Sequence, residues 1–260
     1  MKKHTYYEQT AIWEEPISEL EKNRIASIIN LIPSNANLIA DLGCGSGRIA
    51  NEIDQERTVV GLDVSTEALK YCGVQAVRAS ITHTPFPDSI FDRVILSEIL
   101  EHLEDSSHSK ALKEVRRLAK KYVIVSVPYK ENLKQRLCKC PRCGACFHAY
   151  HHKRSYTPRS LEKYLEGFRI QRIMKRGKEI PRFPPILHMI HRMGHYWHFK
   201  YAVCPACNLK FNEIDSPSLS IAKKFVIGTL RFTDHILRMI KKWMGMFNPI
   251  YMITLLRRAD

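Results

Sequence analysis

Asp41-Leu-Gly-Cys-Gly-Ser-Gly47 places an acid and three alternating glycines at the end of a short apolar run that begins at Leu38. Glycine suits such a loop because it accepts positive φ and lets the backbone come close to a ligand. A second apolar run, from Val59 to Leu62, ends in Asp63, where a carboxylate can accept the hydroxyls of a ribose. The two elements predict a strand, a tight loop, a helix and a second strand around a nucleotide-like ligand.

The same alternation of strands and helices continues along the chain. It is typical of a doubly wound parallel sheet. We therefore predict an α/β fold with a Rossmann-like, seven-stranded, mainly parallel sheet. The predicted helices are Glu19 to Leu31, Ser65 to Tyr71, Lys110 to Lys121 and Thr157 to Glu166, and the further strands are Val77 to Ala79, Phe91 to Leu96, Tyr122 to Val127, Phe168 to Ile173 and Tyr251 to Leu256.

The basic residues are concentrated in one part of the chain. The formal net charge is +15, and the stretch from Lys110 to Lys178 holds 20 basic and 4 acidic residues, a net of +16. Such an excess favours an anionic partner, which is nucleic acid, a phosphorylated metabolite or a membrane surface. The 45% hydrophobic and 26% charged residues exclude disordered and collagen-like classes.

Neither a leader nor a membrane span is evident in the sequence. Met1 to Tyr7 lacks an apolar region, and no uncharged apolar run approaches the roughly 18 residues that cross a bilayer. We expect a cytoplasmic protein, and a position peripheral to the inner face of the membrane stays open. In a reducing compartment the eight cysteines are better interpreted as metal ligands or catalytic groups than as disulfides.

Six short motifs together resemble the class I S-adenosylmethionine-dependent methyltransferases. Besides the glycine loop they are Gly61-Leu-Asp63-Val-Ser65, Thr84-Pro-Phe-Pro-Asp88, Phe91-Asp92, Ser97-Glu-Ile-Leu-Glu-His-Leu103 and Ser126-Val-Pro128. The resemblance implies that S-adenosylmethionine is the methyl donor. It implies donor contacts from the glycine loop, from the ribose-binding Asp63 and from residues beside the adenine, a set comprising Asp41, Gly43, Cys44, Gly45, Gly47, Asp63, Val64, Ser80, Ile81 and Ser97.

The stretch after the fourth strand bears on the methyl acceptor. It lacks the Asn/Asp-Pro-Pro-aromatic signature of base amine methylation, and instead Glu98, Glu101 and His102 fall on one face if this segment is helical. His102 could act as a general base toward a hydroxyl, or the three side chains could hold Mg²⁺ with a later histidine. The motif is similar to the metal-binding motif of ubiquinone-pathway and small-RNA 2′-O-methyltransferases, where the later histidines would correspond to His148, His151 and His152. A structural role stays open.

Two Cys-Pro-x-Cys knuckles form the second chemical signal. They contain Cys140 with Cys143, and Cys204 with Cys207. Two such turns make a tetrahedral four-thiolate site, which predicts a structural Zn²⁺ that staples two distant segments. A local alternative uses Cys138, Cys140, Cys143 and Cys146. Cys44 and Cys72 are expected to be small buried residues.

The segment between the last two predicted strands, 177–249, is too long for an ordinary connection of about 2 to 6 residues, and we therefore predict that it forms an inserted lobe. We divide the chain into an N-terminal helical cap (1–36), a methyltransferase core (37–176) with a Cys-rich loop (130–156), the inserted lobe (177–249) and the terminal strand (250–260). Within 221–247 a basic amphipathic pattern suits either packing on its own domain, which is the commoner use of such a stripe, or contact with an anionic membrane surface. Its apolar members are Ala222, Phe225, Val226, Ile236, Ile240, Trp243 and Phe247.

These observations predict an O-methyltransferase. Its acceptor would be a hydroxyl of a small anionic metabolite, a glycan or a lipid-linked precursor, and the basic loop from Lys130 to Arg159 would bind a phosphorylated group. Two rivals stay open. The basic stretch suits an RNA methyltransferase, and the cysteine knuckles suit a non-catalytic zinc-bearing binding module.

Overall fold

The computed structural model describes residues 6–53, 56–178, 199, 201–213, 232, 235–236, 239–245 and 248–259. The chain divides into two compact units, and each is considered by itself. The first comprises residues 1–131, 152–176 and 251–260, and the second comprises residues 132–151 and 177–250.

The strands form one large sheet in the first unit and one hairpin in the second. In the large sheet the order is β3-β2-β1-β4-β5-β9-β8, with β1 to β5 parallel and β9 antiparallel to both of its neighbours. The predicted seven-stranded, mainly parallel sheet is therefore confirmed, and β6 pairs with β7 in the hairpin. The strands are β1 (Leu38–Leu42), β2 (Thr58–Asp63), β3 (Gln75–Arg78), β4 (Phe91–Ser97), β5 (Ala119–Pro128), β6 (Leu137–Lys139), β7 (Cys146–His148), β8 (Phe168–Arg176) and β9 (Tyr251–Arg258).

Local caps explain where several helices begin. The hydroxyls of Ser18 and Ser65 accept backbone N–H groups at the starts of α2 and α3, and Thr157 forms a reciprocal capping box with Ser160 at the start of α5. Pro158 stands in the first turn of α5, where its missing N–H costs nothing. The helices are α1 (Thr10–Glu14), α2 (Glu19–Ile29), α3 (Thr66–Leu69), α4 (Asp105–Leu118) and α5 (Pro158–Tyr164).

Two predicted helices differ from the structure. The helix expected from Lys110 to Lys121 begins at Asp105 and ends at Leu118, because Ala119 pairs with Phe91 and starts a strand. Its first turn is polar, so hydrophobic periodicity gave no sign of it. After the glycine loop the structure has only a 3₁₀ turn, Ala50–Glu52, in place of the expected helix.

Apolar side chains cover both faces of the sheet. Ala40 and Leu42 belong to a cluster with residues of α4 and α5, whereas Ile39 belongs to a second cluster with residues of α2. Successive residues of a strand point to opposite faces, so each inner strand contributes to both clusters. This double burial explains why the inner strands are continuous apolar runs.

Candidate functional site

The strand order reverses between β1 and β4, which are neighbours in the sheet. From β1 the chain continues to β2 on one side, and from β4 it continues to β5 on the other. In open α/β sheets such a switch point leaves a crevice at the carboxyl ends of the strands, and ligands bind there. The glycine loop after Leu42 and the segment after Ser97 border this crevice.

The glycine loop is held in shape by Asp63. Gly45 donates its N–H to Oδ2 of Asp63 at 2.9 Å, and Ser65 donates its N–H to Oδ1 at 2.8 Å. Gly43 has a φ of 81°, a left-handed conformation that glycine adopts without strain. Because each carboxylate oxygen has two lone pairs, both oxygens of Asp63 retain capacity for ligand hydroxyls.

Asp41 lies buried beneath this loop. Burial, with smaller effects of Cys72 and Asp63, raises its pKa to about 7, and the cation of Arg24 opposes the shift. Its Oδ2 has no hydrogen-bond partner among the described residues. A buried carboxylate with one unpaired oxygen is costly, so a cationic ligand group here would be favoured.

The other predicted donor contacts occupy different surroundings. Cys44 is buried in the loop, and the carbonyl of Val64 accepts from Nε of Arg78 at 3.3 Å. The hydroxyl of Ser80 lies 2.8 Å from that of Thr82 in a local turn. Ile81 is only 4% exposed, so most of its side chain packs in the core rather than facing a ligand.

Glu98 does not lie on a helix, contrary to the prediction. Its φ is 55°, and the following residues, Leu100–His102, form a single 3₁₀ turn. The Glu98 carboxylate accepts from the hydroxyl of Ser126 at 3.2 Å, and burial raises its pKa. Glu98 is therefore not a member of the group that Glu101 and His102 form, although it lies close enough for its charge to raise the pKa of Glu101.

Glu101 and His102 instead come together with His152. One ligand atom from each of the three lies within 4.8 Å of the other two, and the rings of the two histidines are 4.7 Å apart. Neither carboxylate oxygen of Glu101 has a hydrogen-bond partner among the described residues. Burial, followed by the charge of Glu98, raises the Glu101 pKa well above its ordinary value. The expectation of a later histidine thus falls on His152, whereas His148 and His151 belong to the second unit.

The four knuckle cysteines lie together in the second unit. One Sγ from each lies within 4.8 Å of the others, and the pairs Cys140–Cys207 and Cys143–Cys204 are both 3.5 Å apart. Burial alone would raise the pKa of Cys140, but the N–H groups of Cys143 and Arg142 bring it to about 7. This arrangement fits a four-thiolate Zn²⁺ site.

Each knuckle is built in the same way. Gly144 donates its N–H to the carbonyl of Cys140, Asn208 donates to that of Cys204, and both residues have positive φ. The local alternative does not form, because the thiol of Cys138 points to the carbonyl of Phe147 at 3.4 Å. Neither Cys138 nor the exposed Cys146 belongs to the group.

Only part of the predicted amphipathic stripe is within the described residues. Ile236, Ile240 and Trp243 are 41%, 48% and 89% exposed. No helix in the part of the chain that the structure describes has the length and apolar character that a membrane crossing requires. The other members, Ala222, Phe225, Val226 and Phe247, lie outside the described residues.

Residues 40–126 match the family model described as "Methyltransferase domain". The match covers 87 of the 260 residues, from β1 through most of β5, and it includes both sides of the crevice.

Two curated proteins are similar over somewhat more than a third of this chain. An uncharacterised protein of Methanocaldococcus jannaschii is 36% identical over 37% of this chain and 43% of its own length. A ubiquinone biosynthesis O-methyltransferase of Paracidovorax citrulli is 28% identical over 35% of this chain and 43% of its own. The chain therefore spans less than half the length of these two relatives.

Two solved structures resemble nearly the whole chain. An S-adenosylmethionine-dependent methyltransferase of Archaeoglobus fulgidus has a TM-score of 0.57 at 18% identity and covers 97% of this chain and 99% of its own. The N-methyltransferase NodS of Bradyrhizobium japonicum, in complex with S-adenosyl-L-homocysteine, has a TM-score of 0.56 at 10% identity, with coverages of 98% and 100%. The chain has the S-adenosylmethionine-dependent methyltransferase fold. At these identities the likeness concerns the fold alone.

Two residues of this methyltransferase fold have roles that the sequence did not reveal. The guanidinium of Arg154 donates to the carbonyls of Leu100 and Leu103 and to the carboxylate of Asp105, so it clamps the turn that carries Glu101. Arg154 belongs to the basic loop but uses its charge within the fold, and binding of an anionic acceptor by that loop stays a prediction.

The second residue is Arg24, a largely buried cation from α2. It donates to the hydroxyl of Ser97 and lies over the ring of Tyr251 at 5.3 Å. Its charge also lowers the pKa of Glu98 against the effect of burial. No local spacing indicates either arginine, because the partners of each are far away in the chain.

Proposed function

We propose that this protein is an S-adenosylmethionine-dependent methyltransferase that methylates a hydroxyl group of a small anionic metabolite, a glycan or a lipid-linked precursor. One observation carries the proposal. The glycine loop that Asp63 holds at the switch point shares its crevice with the group of Glu101, His102 and His152. The proposed donor site therefore lies beside a group that can accept a proton or bind a cation, as transfer of a methyl group from the donor to a hydroxyl requires.

The donor's charges and hydroxyls fit the first half of the crevice. The oxygens of Asp63 would accept the ribose hydroxyls, and the partnerless oxygen of Asp41 would favour the positive charge of the donor. The sulfonium methyl is already activated. Much of the rate enhancement would come from orienting the acceptor and excluding water, with proton removal adding a smaller factor.

The second half of the crevice supports two routes for the acceptor hydroxyl. In one, His102 takes its proton as a general base. In the other, Glu101, His102 and His152 hold a divalent cation such as Mg²⁺, and the partnerless Glu101 carboxylate fits that use. The cation, when bound, lowers the pKa of a coordinated hydroxyl. Glu98 would not be a ligand of this cation. Its hydrogen bond from Ser126 would instead hold the start of the turn that carries Glu101 and His102.

The similarity to the Paracidovorax citrulli protein, a ubiquinone biosynthesis O-methyltransferase, supports a hydroxyl acceptor. An RNA acceptor is the second candidate, and the net charge of +16 between Lys110 and Lys178 favours it. The non-catalytic binding module is disfavoured because the glycine loop and Asp63 are both present and are joined by hydrogen bonds from Gly45 and Ser65.

We also propose a structural Zn²⁺ at Cys140, Cys143, Cys204 and Cys207. The second unit has a small apolar cluster, so four metal–thiolate bonds would supply much of its stability. Contact between 221–247 and an anionic membrane is a further proposal, and the exposed Trp243 supports it. A lipid-linked acceptor would then be reached at the membrane surface.

The test begins with calorimetry of the full chain against S-adenosylmethionine and S-adenosylhomocysteine. We expect both to bind, and no heat from either would overturn the proposed function. Donor carrying a labelled methyl group is then mixed with cell extracts treated with ribonuclease or left untreated. Label in a small molecule that survives ribonuclease supports the hydroxyl acceptor, and label lost with ribonuclease indicates RNA.

A further inference from the structure

The N-terminal residues that precede the matched methyltransferase domain lie on the glycine loop. A Cβ built on Gly45 would be 2.8 Å from Cζ3 of Trp13, so the aromatic ring sits directly against the loop backbone. No larger residue than glycine fits between them. The packing therefore couples the loop that we assign to the donor with a segment well outside the family match.

Two groups hold this segment beside Asp63. The carbonyl of Tyr7 accepts from Nε1 of Trp13 at 2.8 Å and from the hydroxyl of Ser65 at 2.9 Å. Ser65 also caps α3 through the N–H of Ala68, so one hydroxyl serves both the helix and the segment. The segment is thus bonded to Ser65, which lies two residues after the proposed ribose ligand Asp63.

Glu8 supplies the other attachment. Its carboxylate accepts the N–H groups of Thr66 and Glu67, each at 3.2 Å, at the start of α3. An acidic group is favoured at a helix N-terminus, where the N–H groups lack partners within the helix. On the far side of Trp13, Arg48 donates to the carbonyls of Ile12 and Glu15.

The side chain of Tyr7 reaches the centre of the crevice. Its ring lies edge-on to the ring of His102, with centroids 5.7 Å apart and an angle of 88° between the planes. Its backbone carbonyl is bonded to Ser65, two residues after Asp63, so Tyr7 lies between the ribose-binding strand and the group proposed to act on the acceptor.

We propose that the segment from Tyr7 to Trp13 completes the donor site, and that Tyr7 is a positioning residue that borders the sulfonium and shields it from water. The inference rests on the proposed function and deepens it. Trp13 covers the loop side of the donor, and Tyr7 covers the path from the donor to His102. An aromatic ring at that place also favours a cationic sulfonium over an uncharged thioether.

The experiment measures S-adenosylmethionine and S-adenosylhomocysteine binding to the full chain by calorimetry. Trp13→Ala should weaken both ligands about 10-fold, close to 1.4 kcal/mol. Tyr7→Ala should weaken the sulfonium donor more than the thioether, and so change the ratio of the two dissociation constants about 3-fold. Tyr7→Phe, which keeps the ring, should restore that ratio. Tyr122→Ala, an aromatic deletion near the start of β5, is the matched control and should change neither value.

Each outcome has one meaning. If the unaltered protein binds neither ligand, the proposed function fails. If it binds them and both Trp13→Ala and Tyr7→Ala bind within 2-fold of it, the donor site does not include the segment. An equal loss of both ligands in Tyr7→Ala would remove its positioning role.

A second measurement needs no destabilising variant. With Trp197→Phe and Trp243→Phe, Trp13 is the only tryptophan, and its emission should change when S-adenosylhomocysteine is added. Emission that is unchanged at saturating ligand would overturn the inference.

Discussion

The donor crevice and the four-cysteine group obtain their geometry from opposite sources. In the crevice, Asp63 is placed by a seven-stranded sheet, and it arranges the loop through N–H groups of Gly45 and Ser65. In the second unit, the cysteines occupy two short turns backed by a small apolar cluster that includes Phe147 and Phe211. The first site is made by its fold, whereas we propose that the second unit depends on a bound ion for its fold.

The two sites also treat their charged groups differently. The crevice buries Asp41 and Glu101 without hydrogen-bond partners for some of their oxygens among the described residues, so it carries an electrostatic cost until a ligand arrives. In the cysteine group, the backbone N–H groups of Cys143 and Arg142 lower the pKa of Cys140, whereas burial raises that of Cys204. We therefore expect ligand binding to relieve the electrostatic cost in the crevice without changing its fold. We expect metal binding to be required for the second unit to fold.

Loss of the metal site should give the largest effect. Structural zinc contributes about 10–16 kcal/mol in isolated zinc-finger peptides, so Cys204→Ser should abolish zinc binding and leave the second unit sensitive to protease. The thermal transition of the first unit should remain, because its sheet has its own core. Metal analysis and limited proteolysis measure the two effects.

Cys146→Ser provides the matched control, since Cys146 is exposed and outside the four-thiol group. It should retain about one zinc per chain. Retention of zinc in Cys204→Ser would contradict the assignment, and simultaneous unfolding of both units would contradict the contrast between the two sites.

The burial of Asp41 should appear in the pH dependence of stability. The unfolded carboxyl ionises near its usual pKa of 3.8, whereas the folded one keeps its proton up to about 7. Folding stability should therefore decline as the pH rises from about 4 to 7 and change little from this source at higher pH. Asp41→Asn removes the cost and should raise the free energy of unfolding by at most about 4 kcal/mol at pH 8, with little change at pH 4.

Urea denaturation of the ligand-free chain at pH 4, 6 and 8 measures this effect. The exposed Asp88, which pairs with Arg117, supplies a control through Asp88→Asn. A constant difference between Asp41→Asn and the unaltered chain across the three pH values would show that burial of a charge at Asp41 is not the cause.

Removal of Asp63 should give the next largest effect. Asp63→Ala leaves the N–H groups of Gly45 and Ser65 without their acceptor and removes the proposed ribose contact. We expect the dissociation constant of S-adenosylhomocysteine to rise about 100-fold, equivalent to about 2.7 kcal/mol. Calorimetry measures the change.

Asp92 offers a matched control at the other end of the sheet. Its carboxylate also accepts two backbone N–H groups, those of Asn37 and Leu38, each at 3.0 Å. Asp92→Ala should lower stability but leave ligand affinity within about 2-fold. Equal losses of affinity in both variants would mean that general destabilisation, and not the crevice, explains the result.

The sequence predicted those features whose cause is local. All seven strands of the sheet were predicted, and the five inner ones were recognisable because burial on both faces gives each of them an apolar run. The glycine loop and Asp63 were found because a turn with positive φ restricts the residue type. The two knuckles were found because metal ligation fixes the spacing of Cys140 and Cys143.

Features that depend on distant partners were not predictable. Arg154 contacts the turn around Leu100 across more than fifty residues, and Tyr7 meets His102 across more than ninety. Glu98 was misplaced for a different reason. The spacing of Glu98, Glu101 and His102 suits a helix, but a single residue with φ of 55° redirects the chain, and spacing alone does not reveal a backbone reversal.

The smallest effect should come from Cys138, and it separates the two possible zinc sites. Cys138 is buried, burial raises its pKa to about 12, and its thiol donates to the carbonyl of Phe147 at 3.4 Å. Cys138→Ala should therefore cost only about 1 kcal/mol and retain zinc, with its affinity in chelator competition reduced less than 10-fold. Cys140→Ser is the comparison variant and should lose the metal. If Cys138→Ala released zinc as readily as Cys140→Ser, the local set of Cys138, Cys140, Cys143 and Cys146 would be the ligands. The second unit would then hold its metal within one segment, and the contrast with the sheet-built crevice would need a different explanation.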